Sequence, residues 1–599
     1  MHETTLLQRI RTDEAWALVE RFTALERVSG SPGEDEAACY IHDRLASLGV
    51  PHQVFRPQLY LSIPREATVR CSVGGADSGS IIEMPAKTPS FSISTASGVP
   101  SGGDGFVRGR AVYVPAGPAA GITDLFAGQD VAAGAGGALD LTGRIVLTDG
   151  LPMPARVRDL EQRGAAAAVF ISPGERIHES ICTAVWGTPD LVTHDRRPRI
   201  AVASVCSSDG DILRETIAGP EGDRAELGVR TRLDESWYEC PLVVAEIPGK
   251  RWPDEFVLLH GHLDSWHVGI GDNAVGNAAM LEIARVLWES RDSLDRSVRI
   301  AWWPGHSTGR YAGSTWYADA FARDIYRNCV VHLNCDSPGC RWATAFHDLT
   351  VMAETDSLAH GAVRDAAGLP AEGAMPERAG DLSFSNLGVS TLFMLSSTMS
   401  LEDRQQRGYY AVGGCGGNIG WHTEDDTLEI ADRDNLLRDT RVYALAVWRA
   451  ANDRIHPLDF RATAAQLNYL IGDFAESLGQ LMDMGPARQA AAELARSVNQ
   501  LYRQQVVPAQ SAGATDDLVQ ACNAKLRRIG RVLVNLLYSR DGRYRQDPAL
   551  PVPPLPELDA VRRALQGGEV DHGFLRTEVV RALNRIVGAV DEVLEIVNA

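Results

Sequence analysis

The 599-residue chain predicts an α/β protein: a mixed, mostly parallel sheet flanked by helices, with an inserted smaller α/β unit and a C-terminal helical domain. Three observations predict it. Apolar strand-like runs alternate with helical stretches from about 240 to 455, the order expected of a parallel sheet covered by helices. Residues 100–235 are rich in Gly, Ala, Ser and Pro and read as strand, helix and strand again. From 456 onward, apolar side chains recur at helical spacing.

Taken in order, residues 1–22 read as an amphipathic helix with no apolar core of signal-peptide length. A turn at Ser29-Gly30-Ser31-Pro32 leads into helical periodicity over 37–48, ended by Gly49. Short apolar runs follow Val50, such as 67–73 before Gly74-Gly75, and read as strands. Residues 143–148 and 164–171 read as buried strands around a helix at 153–163, and 197–205 precedes a helix start at Ser208. Strands are expected at 255–260, 298–303 and 328–334, and a helix at 273–290. The tail is helical, interrupted by the Pro-rich 548–556, and its last helix begins near Leu575 with Val579, Leu583, Ile586, Val590 and Val593 on one apolar spacing. The expected division is 1–99, 100–238, 239–455 and 456–599, within the roughly two to four domains that the length suggests.

Composition narrows the partners. A formal net charge of −20 argues against nucleic acid and anionic membranes, which require basic patches. No apolar run is long enough to span a bilayer. The ten cysteines are scattered without a CxxC pair, a pattern that suits reduced thiols in a cytoplasm better than a disulfide scaffold. Lys87, Lys250 and Lys525 are the lysines among many arginines, which suggests a GC-rich bacterial genome.

The chemistry gathers at strand ends. An apolar strand runs into His262-Leu263-Asp264, and Asp272 follows where a helix begins. His262 could bind a metal through one ring nitrogen with Asp264 behind it; Asp272 could cap the helix or bridge two metals. Asp336 lies at the end of a further strand, and His422 lies in a loop after a Gly-rich run. Asp381, in Gly380-Asp381-Leu382-Ser383, is a candidate substrate contact or a turn acid. Arg310 and Tyr311 could face a substrate carboxylate, or Arg310 could be solvated.

In this order the pieces resemble the catalytic domain of the zinc aminopeptidases, glutamate carboxypeptidase and the transferrin receptor, over 239–455. The segment 100–238, with its runs at 164–171 and 198–205, resembles the protease-associated domain. The tail resembles the dimerisation domain of the glutamate-carboxypeptidase branch. The resemblance implies two zinc ions held by two His, two Asp and one Glu. Carried over, it makes His262, Asp272 and Asp336 ligands of one metal, with Asp272 bridging to a second that His422 also binds. Asp264 becomes the acid behind His262.

The resemblance breaks after Trp303. Where the family carries Glu-Glu, the general base and then a ligand, this chain has His306-Ser307, with one extra residue before Gly313-Ser314-Thr315-Trp316. Three readings stay open: His306 as base, since imidazole titrates near neutral pH; His306 as ligand after a local shift; or a second metal weakened or lost because Ser307 is a poor ligand. A His and carboxylate set suits Zn2+, and also Mn, Co or Fe, at one or two divalent ions per chain.

The expected function is metal-dependent hydrolysis of an amide (peptide-like) bond, exopeptidase-like or on a small amide, with His306 as an atypical base. A non-peptide hydrolase or lyase acting on a small metabolite is the alternative, and a catalytically inactive receptor-like protein the third. The expected partners are a small-molecule or short-peptide substrate and a second copy in a homodimer, without nucleic acid or membrane. The site is expected where catalytic domain, insert and tail meet.

Overall fold

The structure is a computed structural model that describes all residues except 1, 74–80, 96–102, 117–139, 377–379, 394–395, 552 and 569. Two sheets organise it. The first uses β1 (His52–Phe55), β9 (Leu242–Ile247), β10 (Trp252–His262), β11 (Arg296–Trp303), β12 (Cys329–Asn334) and the short strand Thr391–Leu392. Their order is β1-β9-β11-β10-β12-Thr391–Leu392. β10 pairs in parallel with β11 and β12, and β12 with Thr391–Leu392, whereas β9 runs antiparallel to β1 and β11. This is the mixed, mostly parallel sheet expected.

Alternation along β10 and β11 explains why the sheet is covered on both sides. Val257, Leu259, Val298 and Ile300 face a core with the helices Pro32–Leu48, Val275–Glu289 and Arg433–Asn452. Phe256, Leu258, Ala301 and Trp303 face the other side with Tyr317 and Ile325 from the helices Ala312–Ala320 and Ala322–Asn328. Both strands are buried nearly throughout, as parallel strands between helical layers must be. The helix ended by Gly49 begins at Pro32, where Ser31 Oγ accepts from the Glu34 amide, and Gly49 adopts φ +72° as its C-terminal cap.

The second sheet comprises β2 (Gln58–Val73), β3 (Ile81–Ala86), β4 (Val107–Tyr113), β5 (Ile145–Asp149), β6 (Ala167–Ile171), β7 (Ala201–Val205) and β8 (Ala225–Glu239), in the order β3-β2-β8-β4-β5-β6-β7. β4 to β7 are parallel to one another, and the long pair β2 and β8 is antiparallel. β2 and β3 therefore belong to this sheet, so it starts well before residue 100. Pairing of β2 with β8, far downstream in the chain, leaves no local mark that periodicity could read.

The tail has its own core, built by Leu467, Leu494, Leu526, Leu533 and Val590 among others. In the last helix, His572–Asn598, Val579, Ile586, Val590 and Val593 are buried within the chain. The tail is fastened to the first sheet by buried charge. Glu255 accepts from Arg296 at 2.8 Å, His456 at 3.0 Å and Arg527 at 2.5 Å. Arg531 donates to the carbonyls of Tyr326 and Gly388 at 2.7 and 3.0 Å. Among the described residues, no helix is long and apolar enough to cross a membrane, and all ten cysteines are free.

Candidate metal centre

The carboxyl ends of β10, β11 and β12 lie side by side, so the residues just beyond them share one space, as open α/β sheets dictate. His262 closes β10. Its Nδ1 meets the Asp264 carbonyl at 2.9 Å, and a carbonyl only accepts, so Nδ1 carries the proton and Nε2 presents a lone pair. His422 repeats the arrangement: Nδ1 donates to the Glu179 carbonyl at 3.0 Å.

Asp272 stands between the two rings, with Oδ1 2.8 Å from His262 Nε2 and Oδ2 3.1 Å from His422 Nε2. It makes no side-chain cap, and its φ/ψ of −129°/87° is not helical, so of the two roles open to it the capping role is not used. Asp336 Oδ2 lies 3.8 Å from His262 Nε2. The donor atoms of His262, His306 and Asp336 all lie within 4.8 Å of one another.

The electrostatics suit a cation. His262 Nε2 and Asp272 Oδ1 are buried and, despite their proximity, neither has a hydrogen bond. Burial opposes charge on His262, yet Asp272, Asp264 and Asp336 outweigh it and hold its pKa well above the ordinary range. Burial likewise opposes charge on Asp272, but His262 and His422 hold its carboxyl well below the usual carboxylate range. Positive charge is stabilised here, and two imidazole lone pairs with two carboxylates form a donor set suited to a divalent metal.

The surrounding side chains position this set. Asp264 is fully buried; its carboxylate accepts from the amides of His306 at 3.1 Å and Ser307 at 2.8 Å, fixing the loop after β11. It thus supports the centre from behind and does not reach the cavity. Asp381 is also fully buried, with Oδ2 3.1 Å from His306 Nδ1 and Oδ1 accepting from Ser314 Oγ at 2.7 Å. Burial would raise its pKa, but His306 and its neighbours lower it to about 2. Asp381, a candidate substrate contact or turn acid from the sequence, has both oxygens engaged, one by His306 and one by Ser314. The His306 ring stacks on His262 with centroids 4.0 Å apart and lies edge-on to Tyr311 at 4.9 Å.

Asp426, four residues after His422 and without a role in the sequence reading, accepts from the amides of Gly271 at 2.6 Å and Asp272 at 3.0 Å. It thereby holds the backbone that presents Asp272; burial and the Asp272 charge raise its pKa to about 7.

A small cavity of about 50 Å³ is lined by Asp272, His306, Asp336 and His422, by Arg310 and Tyr311, and by Ser180 and Ile181 from the second sheet's β6–β7 connection. Ser307 is buried but is not among its lining residues. A larger cleft of about 630 Å³ opens beside Lys87, Glu179, Trp266 and His267. It contains none of the donor residues, so the chemistry belongs to the smaller space.

Residues 243–447 match the model of Peptidase family M28. That segment begins in β9 and ends within the helix Arg433–Asn452, so it contains every donor residue named above. A probable glutamate carboxypeptidase of Zea mays, VP8, is 26% identical over 249 residues, covering 39% of this chain and 34% of the relative. The chain thus spans about a third of the length of that curated relative. In fold, it is similar to the aminopeptidase from Aneurinibacillus sp. strain AM-1, with a TM-score of 0.52 at 19% identity, covering 75% of this chain and 96% of that one. It is also similar to a zinc aminopeptidase from Bacillus subtilis, with a TM-score of 0.51 at 18% identity, covering 74% and 95%. The M28 match agrees with the resemblance to zinc aminopeptidases and glutamate carboxypeptidases read from the motifs.

Proposed function

We propose that the protein is a metal-dependent hydrolase of an amide bond in a short peptide-like substrate. The observation that carries this reading is the buried pair His262 Nε2 and Asp272 Oδ1, without hydrogen bonds and facing the same space as Asp336, His306 and His422. His262, Asp272 and Asp336 would hold one divalent ion, with His422 on the far side of Asp272. Zinc is the metal we favour, since imidazole and carboxylate donors suit it and the B. subtilis protein of similar fold is described as a zinc aminopeptidase. Such an ion, when bound, polarises a carbonyl and acidifies water.

The chain's own groups then account for proton transfer. Asp381 holds the Nδ1 edge of His306, leaving Nε2 to accept a proton from the attacking water and return it to the leaving amine. Asp264 fixes the backbone that carries this imidazole. One further observation favours a second role: the donor atoms of His306, His262 and Asp336 converge within 4.8 Å, which would suit His306 as a metal ligand backed by Asp381. Ser307 gives its amide to Asp264 and lies off the cavity, which supports one tightly held ion over two.

The test is elemental metal content per chain after purification without chelator, beside amine release from a dipeptide panel. One equivalent of metal, lost in His262→Ala, with chelator-sensitive turnover is the expected result. No metal taken up, or turnover indifferent to chelator, would overturn the reading. His306→Gln separates its two roles: retained metal with lost turnover marks a base, and lost metal marks a ligand.

A further inference from the structure

Arg310 is a buried cation without a counter-charge. It is 5% exposed, its Nε has no hydrogen-bond partner, and no acidic side chain among the described residues pairs with it. Its guanidinium lies over the Tyr311 ring, 4.8 Å from the centroid. Buried charges are ordinarily paired, because an unpaired one loses its hydration with nothing in return. Arg310 lines the same small cavity as Asp272, Asp336, His306 and His422.

Ser180 reaches that cavity from the second sheet's β6–β7 connection. It too is 5% exposed, and its Oγ has no hydrogen-bond partner. Tyr311 adds a hydroxyl that accepts from the Gly380 amide at 2.8 Å, leaving its own proton to donate. The local backbone is strained to present these groups: Arg310 and Tyr311 take φ +48° and +69° in succession, the left-handed region that non-glycine residues seldom occupy. A further packing contact keeps Tyr311 in place, its ring lying 4.6 Å from that of Trp186. The residues lining the cavity therefore include donors left over at Arg310 and Ser180, beside the candidate metal-binding carboxylates.

We infer that Arg310 and Ser180, with the Tyr311 hydroxyl, form a subsite that reads a substrate carboxylate next to the scissile amide. This rests on the metallohydrolase reading and specifies its substrate class: peptides cleaved near a free carboxylate. A guanidinium matches the planar carboxylate with two parallel N–H donors, and a Ser hydroxyl supplies a third. The volume of about 50 Å³ is small, which suits a compact end group such as a carboxylate.

The test is calorimetric binding to the protein as purified, with metal content measured on the same sample. The probes are acetyl-Ala-Ala, its C-terminal amide, and acetyl-Ala-Glu-amide, whose carboxylate is on the side chain. A carboxylate-bearing probe is expected to bind about tenfold or more tightly than the uncharged amide, the range for hydrogen bonds to a charged group. Which of the two charged probes gains identifies a terminal or side-chain carboxylate. Arg310→Gln should bring all three within about twofold. Ser180→Ala, which removes a hydroxyl that makes no hydrogen bond in the fold, should remove part of the preference; Arg310→Lys should restore some of what Gln loses, because charge returns without the fork. Equal binding of the amide, or a preference unchanged in both Arg310→Gln and Ser180→Ala, overturns the subsite. Bound metal without carboxylate preference refutes this inference alone, whereas carboxylate preference without metal refutes the metallohydrolase reading alone.

Discussion

The two sheets divide the work differently. In the first, β10, β11 and β12 end together, and each is followed within a few residues by a group at the candidate centre: His262 on β10, His306 after β11, Asp336 after β12. In the second, among the described residues, the parallel strands β5 to β7 end in no metal-type donor cluster of this kind. What it contributes comes from the β6–β7 connection, where the Glu179 carbonyl orients His422 and Ser180 lines the cavity. One sheet carries donor atoms on rigid strand ends, and the other supplies a wall and a backbone carbonyl. The lesson is that chemistry requiring fixed distances is placed on buried strands, and recognition is placed on the longer connections that can vary.

Breaking the first sheet's contribution should have the largest effect. His262→Ala is expected to abolish metal retention and lower turnover by about a thousandfold or more, several kcal/mol of transition-state stabilisation, measured by elemental analysis and kcat/KM. Next comes acid, which acts on both regions. His260 in β10 and His178 in the β6–β7 connection are buried, and burial lowers the pKa of each to about 4. Both folded values lie below the ordinary 6.5, so the unfolded chain binds these protons first. Their contribution is present above about pH 6.5 and is lost as pH falls toward 4, on the order of 3 kcal/mol for each group. His178 sits between the Trp421 carbonyl and the Tyr410 hydroxyl, both at 2.7 Å, and so joins the two regions. Thermal melts should lose stability over that window, and His178→Gln should flatten the slope by about one proton; an unchanged slope would mean that the junction does not report acid.

Asp264→Asn is the sharper probe of support within the first sheet. Losing a carboxylate that holds the His306 and Ser307 amides should cost about 10- to 100-fold in metal affinity or activity, with the fold retained. The smallest effect belongs to the second sheet's core. Val169→Ala in β6 should cost about 2 kcal/mol of stability in a denaturant melt while leaving metal content unchanged. Metal lost along with that small destabilisation would erase the division between the sheets.

Much of this was legible from residues alone. The strands at 255–260 and 298–303 lie within β10 and β11, the strand at 328–334 matches β12 to within one residue, and the helix at 273–290 contains Val275–Glu289. Local periodicity sufficed there because burial on both faces leaves continuous apolar runs. The membership of β2 and β3 was not legible, because β3 joins through β2, and the pairing of β2 with β8 joins segments more than a hundred residues apart. The N-terminal stretch read as one helix is two, Glu3–Arg9 and Asp13–Phe22, each with its own buried residues.

At the centre, the sequence by itself determined which donors are present: His262 and Asp336 at strand ends, Asp272 and His422 in loops, with His306 where a carboxylate was expected. Spacing along one strand and its loop is covalent, so it can be read directly. Only the tertiary structure decided that Asp381 backs His306, that Asp426 holds the backbone of Asp272, and that Ser180 faces the cavity Arg310 lines. These partners are 75, 154 and 130 residues apart (the last is 310 − 180), and no local pattern encodes their meeting. Sheet register and the course of the connections set it, because those loop ends reach a common point only in the folded chain.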